Sequence, residues 1–287
     1  MLSGADTSAL NALLDTDPVG NASVAATIRH RGSAGTGKGR TGALILGIDG
    51  EHSFPRHDDA ADTGTPRLAA ACWLGSNIIP VSADAAAGEL FGQAARALRR
   101  RVSSIYGCSE AVLALFQTTG WSNHREVRAD QPLMVITEPS GIEPLPGVRR
   151  SRLAEAAAVE RACAAMFTEE LGFSPYQQGA AQYRERIRGL IQAGHSLITV
   201  DPDSRKILFK AEFGAVTDQA VQVQGVWVNP QWRGRGLAAP GMAAVVDYGL
   251  KLAPRVSLYV NGYNTAAVRT YERVGFRRVG TYSTVLF

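Results

Sequence analysis

Residues 221–241 read Val221-Gln-Val-Gln-Gly-Val-Trp-Val228-Asn-Pro230-Gln-Trp-Arg233-Gly-Arg-Gly236-Leu-Ala238-Ala-Pro-Gly241. An apolar strand carrying Val221, Val223, Val226 and Val228 stops at Pro230, a glycine turn follows, and a helical pattern starts at about Ala238. The first N–H groups of a helix have no intrahelical partner, and they add to the positive end of the helix dipole. A phosphate fits there. Gly234 and Gly236 let main chain approach a ligand closely, since no Cβ intervenes. Arg233 and Arg235 add charge. Taken alone, the turn also reads as a tight strand–helix connection with two solvated arginines.

The context resembles the coenzyme A signature of the GNAT superfamily of N-acetyltransferases, (Gln/Arg)-x-x-Gly-x-(Gly/Ala). Two frames fit: Gln231-x-x-Gly234-x-Gly236 and Arg233-x-x-Gly236-x-Ala238. The Val228-Asn229-Pro230 strand end favours the second. A later block, Asn264-x-x-Ala267-x-x-x-Tyr271-x-x-x-Gly275-Phe276, is similar to the family's Asn-x-x-Ala-x-x-x-Tyr-x-x-x-Gly-Phe.

At 287 residues the chain suits one large or two ordinary domains, and 45% hydrophobic with 20% charged residues is ordinary for a globular protein. No apolar run nears the roughly 20 residues of a membrane span. No basic-then-apolar leader opens the sequence. The net charge of +4 is mild and does not indicate nucleic acid. Arg96, Arg99, Arg100 and Arg101 read as a solvated helix face. Cys72, Cys108 and Cys163 have no zinc or redox spacing and read as buried small hydrophobes in a reducing, cytoplasmic setting. The five histidines show no ligand spacing; His52 and His57 fall in a polar loop. No metal is expected, and the oligomeric state is open.

Residues 6–30 hold two short helical patterns broken at Asp17-Pro18. Gly32-x-x-x-x-Gly37-Lys38 mimics a P-loop, but Gly39 offers no hydroxyl and no buried strand precedes it. Strands are expected at 43–48, 68–74, 76–81, 102–106 and 127–137, with Pro132 marking an edge or bulge. Helices are expected at 84–101 and 110–118; the first has Leu90, Phe91, Ala94, Ala95 and Leu98 on one face. Residues 50–66 form an exposed loop. The element order is that of a GNAT domain. After Ile78-Ile79-Pro80, however, Val-Ser-Ala-Asp-Ala has no glycine turn and no basic residue, and Asp84 would repel phosphate. Residues 1–138 are therefore expected to be a GNAT-like domain without the coenzyme signature. The tandem plan is similar to that of actinobacterial proteins in which an uncharacterised domain precedes a GNAT domain.

Residues 139–147 form a linker with three prolines and two glycines in nine positions. Residues 148–287 then read as strand 148–153, helices 154–171 and 180–193, strands 196–200, 207–216 and 220–228, helix 238–252, strand 256–260, helix 265–274 and strand 278–287. The expected class is α/β, two tandem GNAT-like domains, each a mixed, mostly antiparallel twisted sheet flanked by helices.

The resemblance implies direct transfer of acetyl from acetyl-CoA to a neutral amine, small-molecule or peptide. Main-chain N–H groups of Arg233, Gly234, Arg235, Gly236, Leu237 and Ala238 would hold the diphosphate. Val226, Trp227 and Val228 form the strand that pairs with the pantetheine arm, with an N–H of Val226 or Val228 facing the thioester carbonyl. Asn264 would bond that arm, or cap the helix at Thr265. Tyr271 matches the tyrosine that protonates the departing thiolate; as a structural alternative it is a core residue beside Phe276. Many family members have a Glu where this chain has Tyr259. Glu212, Glu169 and Glu170 remain as candidate general bases. A second reading is a non-catalytic acyl-CoA-binding sensor or regulatory module. A third, an unrelated nucleotide-binding protein, rests on the Gly32–Lys38 loop alone.

Overall fold

The computed structural model describes residues 1–36, 42–50, 68–97 and 102–287. Gly37, Lys38, His52, His57, Leu98 and Arg99 to Arg101 lie outside the described residues, as does most of the loop expected at 50–66. The chain packs into two compact units that are not consecutive in sequence. Unit 1 comprises Met1–Leu133, Tyr259–Tyr263 and Arg278–Phe287; unit 2 comprises Met134–Leu258 and Asn264–Arg277.

Unit 1 begins with helices α1 (Thr7–Leu14) and α2 (Ala22–Arg31), then strands β1 (Leu44–Asp49), β2 (Leu68–Leu74) and β3 (Asn77–Val81). Helix α3 (Ala85–Arg96), strand β4 (Ser104–Cys108), helix α4 (Ser109–Thr119) and strand β5 (Glu126–Ile136) follow. α2 ends on Gly32 in the left-handed conformation, so this glycine closes a helix where a P-loop glycine would precede one. β1, β2 and β3 are antiparallel neighbours, and β3 and β4 are parallel, joined by the α3 crossover. The final strand of the chain, β11 (Arg277–Leu286), lies antiparallel to β4, with Tyr282 opposite Cys108 and Leu286 opposite Ser104.

One core cluster of this unit gathers Leu10, Leu14, Ile28 and Ile45; another gathers Ile78, Phe91, Ile105, Leu115 and Val285. Each such fully buried side chain contributes roughly 1.5–3 kcal/mol. Three expectations are corrected here. On α3 the inward face is Ala87, Gly88, Phe91, Gly92 and Ala95, while Leu90 is 53% exposed. The cause is close packing: a Cβ on Gly88 would lie 2.5 Å from the Ala111 carbonyl oxygen, so backbone rather than a leucine fills the interface with α4. Pro132 lies inside β5, and of its two alternatives the edge does not hold: β11 lies beside the strand, and on its other side the Pro132 carbonyl accepts from Val260 N–H at 3.3 Å. Cys108, expected buried, is exposed at the β4–α4 junction.

The first full strand of unit 2 is β6 (Arg149–Arg150), shorter than the strand expected at 148–153, and a 3-10 turn follows from Leu153. Helices α5 (Ala156–Leu171) and α6 (Ala180–Gln192) precede strands β7 (Ser196–Val200), β8 (Ile207–Val216) and β9 (Val221–Val228). Helix α7 (Ala238–Leu250), strand β10 (Val256–Tyr259) and helix α8 (Thr265–Val274) complete it. The strand order is β10-β9-β8-β7-β6, with β9 and β10 parallel and the remaining pairs antiparallel.

Alternation along the strands sends residues to opposite faces. Ile198, Ile207 and Trp227 pack with Val159, Cys163 and Ile187 of α5 and α6. Phe209 meets Gly241 of α7 so closely that a Cβ there would sit 2.7 Å from the ring. β9 and β10 register at only two positions, Val221 with Val256 and Gln222 with Ser257. Beyond Gln222, β9 runs on to Val228 without β10 beside it. That open strand edge and the start of α7 bound the functional site.

Candidate functional site

At the end of β9, Asn229 turns the chain by accepting from Gln231 N–H at 3.1 Å and donating from its side-chain amide to the Ile207 carbonyl at 3.0 Å. A 3-10 turn, Pro230–Trp232, leads into Gly234 and Gly236, both at φ 76°. In this left-handed region any other residue is strained by roughly 1–2 kcal/mol. α7 then begins at Ala238. Its N-cap, Leu237, has no capping side chain, so the terminal amides of Ala238 and Ala239 receive no internal acceptor.

These groups line a cavity of about 210 Å³. Val228, Trp232 and Arg233 form one side, Gly234, Gly236 and Leu237 the turn, and Ala238 and Ala239 the helix end. The opposing wall is Thr270 and Arg273, one turn apart on α8. Sequence reasoning missed those two residues, as well as Trp232 and Ala239. Their i, i+3 spacing on a helix with Tyr271 and Val274 buried was the available signal.

The charge is arranged differently from the sequence reading. Arg233 Nε donates to the Val228 carbonyl at 3.0 Å, and its guanidinium meets Glu169 at 2.5 Å. Arg273 lines the cavity, whereas Arg235 does not. Val226, Trp227, Asn264 and Tyr271 also lie outside the cavity lining. Asn264 caps α8, its side-chain oxygen accepting from Ala267 N–H at 3.1 Å. Trp227 is buried on the α5/α6 face, in a core cluster with Cys163 and Ile187.

Tyr271 is 8% exposed and packs edge-on against Phe276, ring centroids 6.0 Å apart. Burial first, and then the charge of Glu170, push its hydroxyl above the ordinary phenol range. The carboxylates proposed as bases fare unevenly. Glu169 is paired with Arg233. Glu212 is buried with Lys210 Nζ at 2.8 Å and accepts from the Cys163 thiol at 3.0 Å. Burial would raise its carboxyl, but Lys210 and Arg186 outweigh this and hold it below the usual carboxylate range. A carboxylate so stabilised is a poor proton acceptor. Cys163 is thus part of a polar cluster and not the simple buried hydrophobe expected; burial, above all, pushes its thiol up to about 12.

In unit 1 the corresponding parallel pair, β3 and β4, also registers at two positions only. There the crossover helix α3 is capped from within: Asp84 accepts from Ala87 N–H at 2.8 Å. A carboxylate occupies the place an anionic ligand would take. Among the described residues no group of three His, Cys, Asp or Glu could hold a metal ion, and no helix is long and apolar enough to cross a membrane.

Residues 163–276 match the family model described as Acetyltransferase (GNAT) family, and residues 61–159 match Domain of unknown function (DUF4081). A 59-residue stretch is 46% identical to a mycothiol acetyltransferase of Nocardiopsis dassonvillei, covering 19% of this chain and 17% of that protein. Two solved structures share the fold across nearly the whole chain. One is a GNAT-family acetyltransferase from Colwellia psychrerythraea, with 14% identity, 100% of this chain and 98% of the other covered, and a TM-score of 0.56. The other is a tandem GNAT protein from the clavulanic acid biosynthesis pathway, with 12% identity, 99% and 96% covered, and a TM-score of 0.54. The chain therefore shares the mixed α/β fold of these GNAT proteins, and its residues 163–276 match the GNAT family of acetyltransferases.

Proposed function

We propose that the protein transfers acetyl from acetyl-CoA to a primary amine, of a small molecule or a peptide, by direct attack. The observation that carries this reading is the uncapped α7 N-terminus opening, with two left-handed glycines, onto the 210 Å³ cavity. Orphan amides, a helix dipole and Arg273 suit a diphosphate better than any neutral group. Amides of residues 233–238 and Arg273 hold the diphosphate, and the open edge of β9 at Val226–Val228 bonds the pantetheine arm. A β9 amide polarises the thioester carbonyl. Holding amine and thioester together supplies much of the rate. Tyr271 gives its proton to the leaving thiolate; a phenol is protonated at neutral pH and so has that proton to give.

In domain terms we assign residues 148–287 to the transferase, residues 139–147 to a linker and residues 1–138 to a GNAT-like domain that binds no coenzyme. The packing units differ from this linear division only in residues 134–147, 259–263 and 278–287. The three free cysteines suit a reducing cytoplasm.

Two of the three candidate bases, Glu169 and Glu212, are held in ion pairs. That observation favours a second reading, an acyl-CoA-binding sensor without turnover. One experiment separates the two. Acetyl-CoA should raise the melting temperature, and a panel of amines should then release thiol from it. Stabilisation without thiol release from any amine supports the sensor. No stabilisation by acetyl-CoA removes both readings.

A further inference from the structure

β9 carries a bulge. Lys210 of β8 stands opposite Trp227, and Glu212 opposite Gln224, so the single residue Ala211 faces both Gly225 and Val226. Gly225 sits at φ 60°, and a Cβ there would lie 3.2 Å from Lys210 Nζ and 3.3 Å from the Glu212 carboxyl carbon. The bulge backbone therefore rests directly on this pair. Lys210 is 0% and Glu212 2% exposed. Oε1 of Glu212 takes Lys210 at 2.8 Å and the Cys163 thiol at 3.0 Å. Oε2 takes the Gln224 amide at 3.4 Å, with Arg186 at 3.6 Å.

Ion pairs buried this deeply are costly, and apolar residues of the same volume hold two strands together as well or better. The charges call for another reason. An extra residue in one strand inverts the alternation of its amides beyond that point. The Gly225–Val226 bulge thus decides which β9 amides face the edge that β10 leaves open. We propose that the Lys210–Glu212 pair is a positioning device. It grips Gln224 on one side of the bulge and backs Gly225 at its centre, and so keeps the thioester-facing amide of β9 on target. This rests on the acetyl-CoA reading above, and Lys210 and Glu212 touch neither substrate in it.

The test is the infrared carbonyl stretch of acetyl-CoA, ¹³C-labelled at the thioester carbon, bound to the full chain. Bound to the wild type, the stretch should fall below its solution value. Glu212→Gln and Lys210→Met should bind CoA itself within about twofold of wild type but return the stretch toward the solution value. They should also lose about fivefold of the preference for acetyl-CoA over CoA, the worth of one hydrogen bond. The doubly apolar Lys210→Met/Glu212→Leu chain should fold and behave like the single variants. Variants that keep the wild-type stretch overturn the proposal, as does a double variant that cannot fold, because the pair would then be needed for packing. A wild type that binds acetyl-CoA with no shift also overturns it while leaving the donor assignment standing. A wild type that fails to bind acetyl-CoA removes the donor assignment itself.

Discussion

Arg233 and Glu169, 64 positions apart in sequence, meet at 2.5 Å beside the α7 cavity. The pair is half-exposed on both sides, so it adds only about 0–1 kcal/mol to stability. Its larger effect is electrostatic, because Glu169 places a negative charge near the diphosphate site. Glu169→Gln should tighten CoA binding by about two- to fivefold in low salt, with the gain fading as ionic strength rises. Calorimetry at two salt concentrations checks this; unchanged or weaker binding contradicts it.

Arg273 is the cation of α8 that lines the cavity. Arg273→Ala should weaken CoA by about tenfold, a charge-assisted hydrogen bond's worth, with little change in melting temperature. Dephospho-CoA should lose as much, since the diphosphate is common to both ligands. A loss confined to CoA would move Arg273 to the ribose phosphate instead.

Tyr271→Phe should leave CoA affinity intact and lower kcat by about 10²-fold or more. Because the folded hydroxyl titrates above the ordinary value of 10.0, no alkaline fall in rate from Tyr271 is expected below pH 10. The linkage runs the same way. The neutral buried phenol contributes stability up to pH 10, and that contribution is lost as pH rises further and the unfolded chain ionises first. Unchanged turnover in the phenylalanine variant would return Tyr271 to a packing role beside Phe276.

Glu155 accepts from Arg149 at 2.6 Å and 2.9 Å and from Arg152 N–H at 2.8 Å, and the Arg149 hydrogen bonds lower its pKa from 4.5 to about 2. A depressed carboxyl contributes stability above pH 4.5 and loses it as pH falls toward 2. Discounted for the partial exposure of Arg149, the contribution is about 1 kcal/mol. Glu155→Gln should lower stability by that amount at pH 7 and flatten the acid limb of the unfolding curve between pH 4.5 and 2. An acid limb parallel to that of the wild type would contradict it.

Elements whose signals are local were readable from sequence. Helix Thr265–Val274 carries its own cap and ends on a left-handed glycine, and strand Ile207–Val216 ends at a turn. The glycine turn was legible for the same reason: φ above zero demands glycine wherever the chain later goes. Side chains that matter through partners distant in sequence were not legible. Nothing near Arg233 announces Glu169, and nothing on α8 says that Arg273 faces the turn. On α3 the pattern of large residues misled, because the helix packs its glycines inward and leaves Leu90 outside. The bulge could have been found, since a lone glycine at 225 within an apolar strand marks such a site.

Strand β11 closes unit 1 with residues 278–286, and Ser283 bonds Ser109 across 174 positions. A ribosome therefore delivers the last piece of unit 1 only after all of unit 2 has been made. Until then β4 presents an unsatisfied edge, and the half-built front of the chain is exposed to misassociation. Such long-range closure is intrinsically slow, so the finishing step of unit 1 is expected to limit how fast the protein matures.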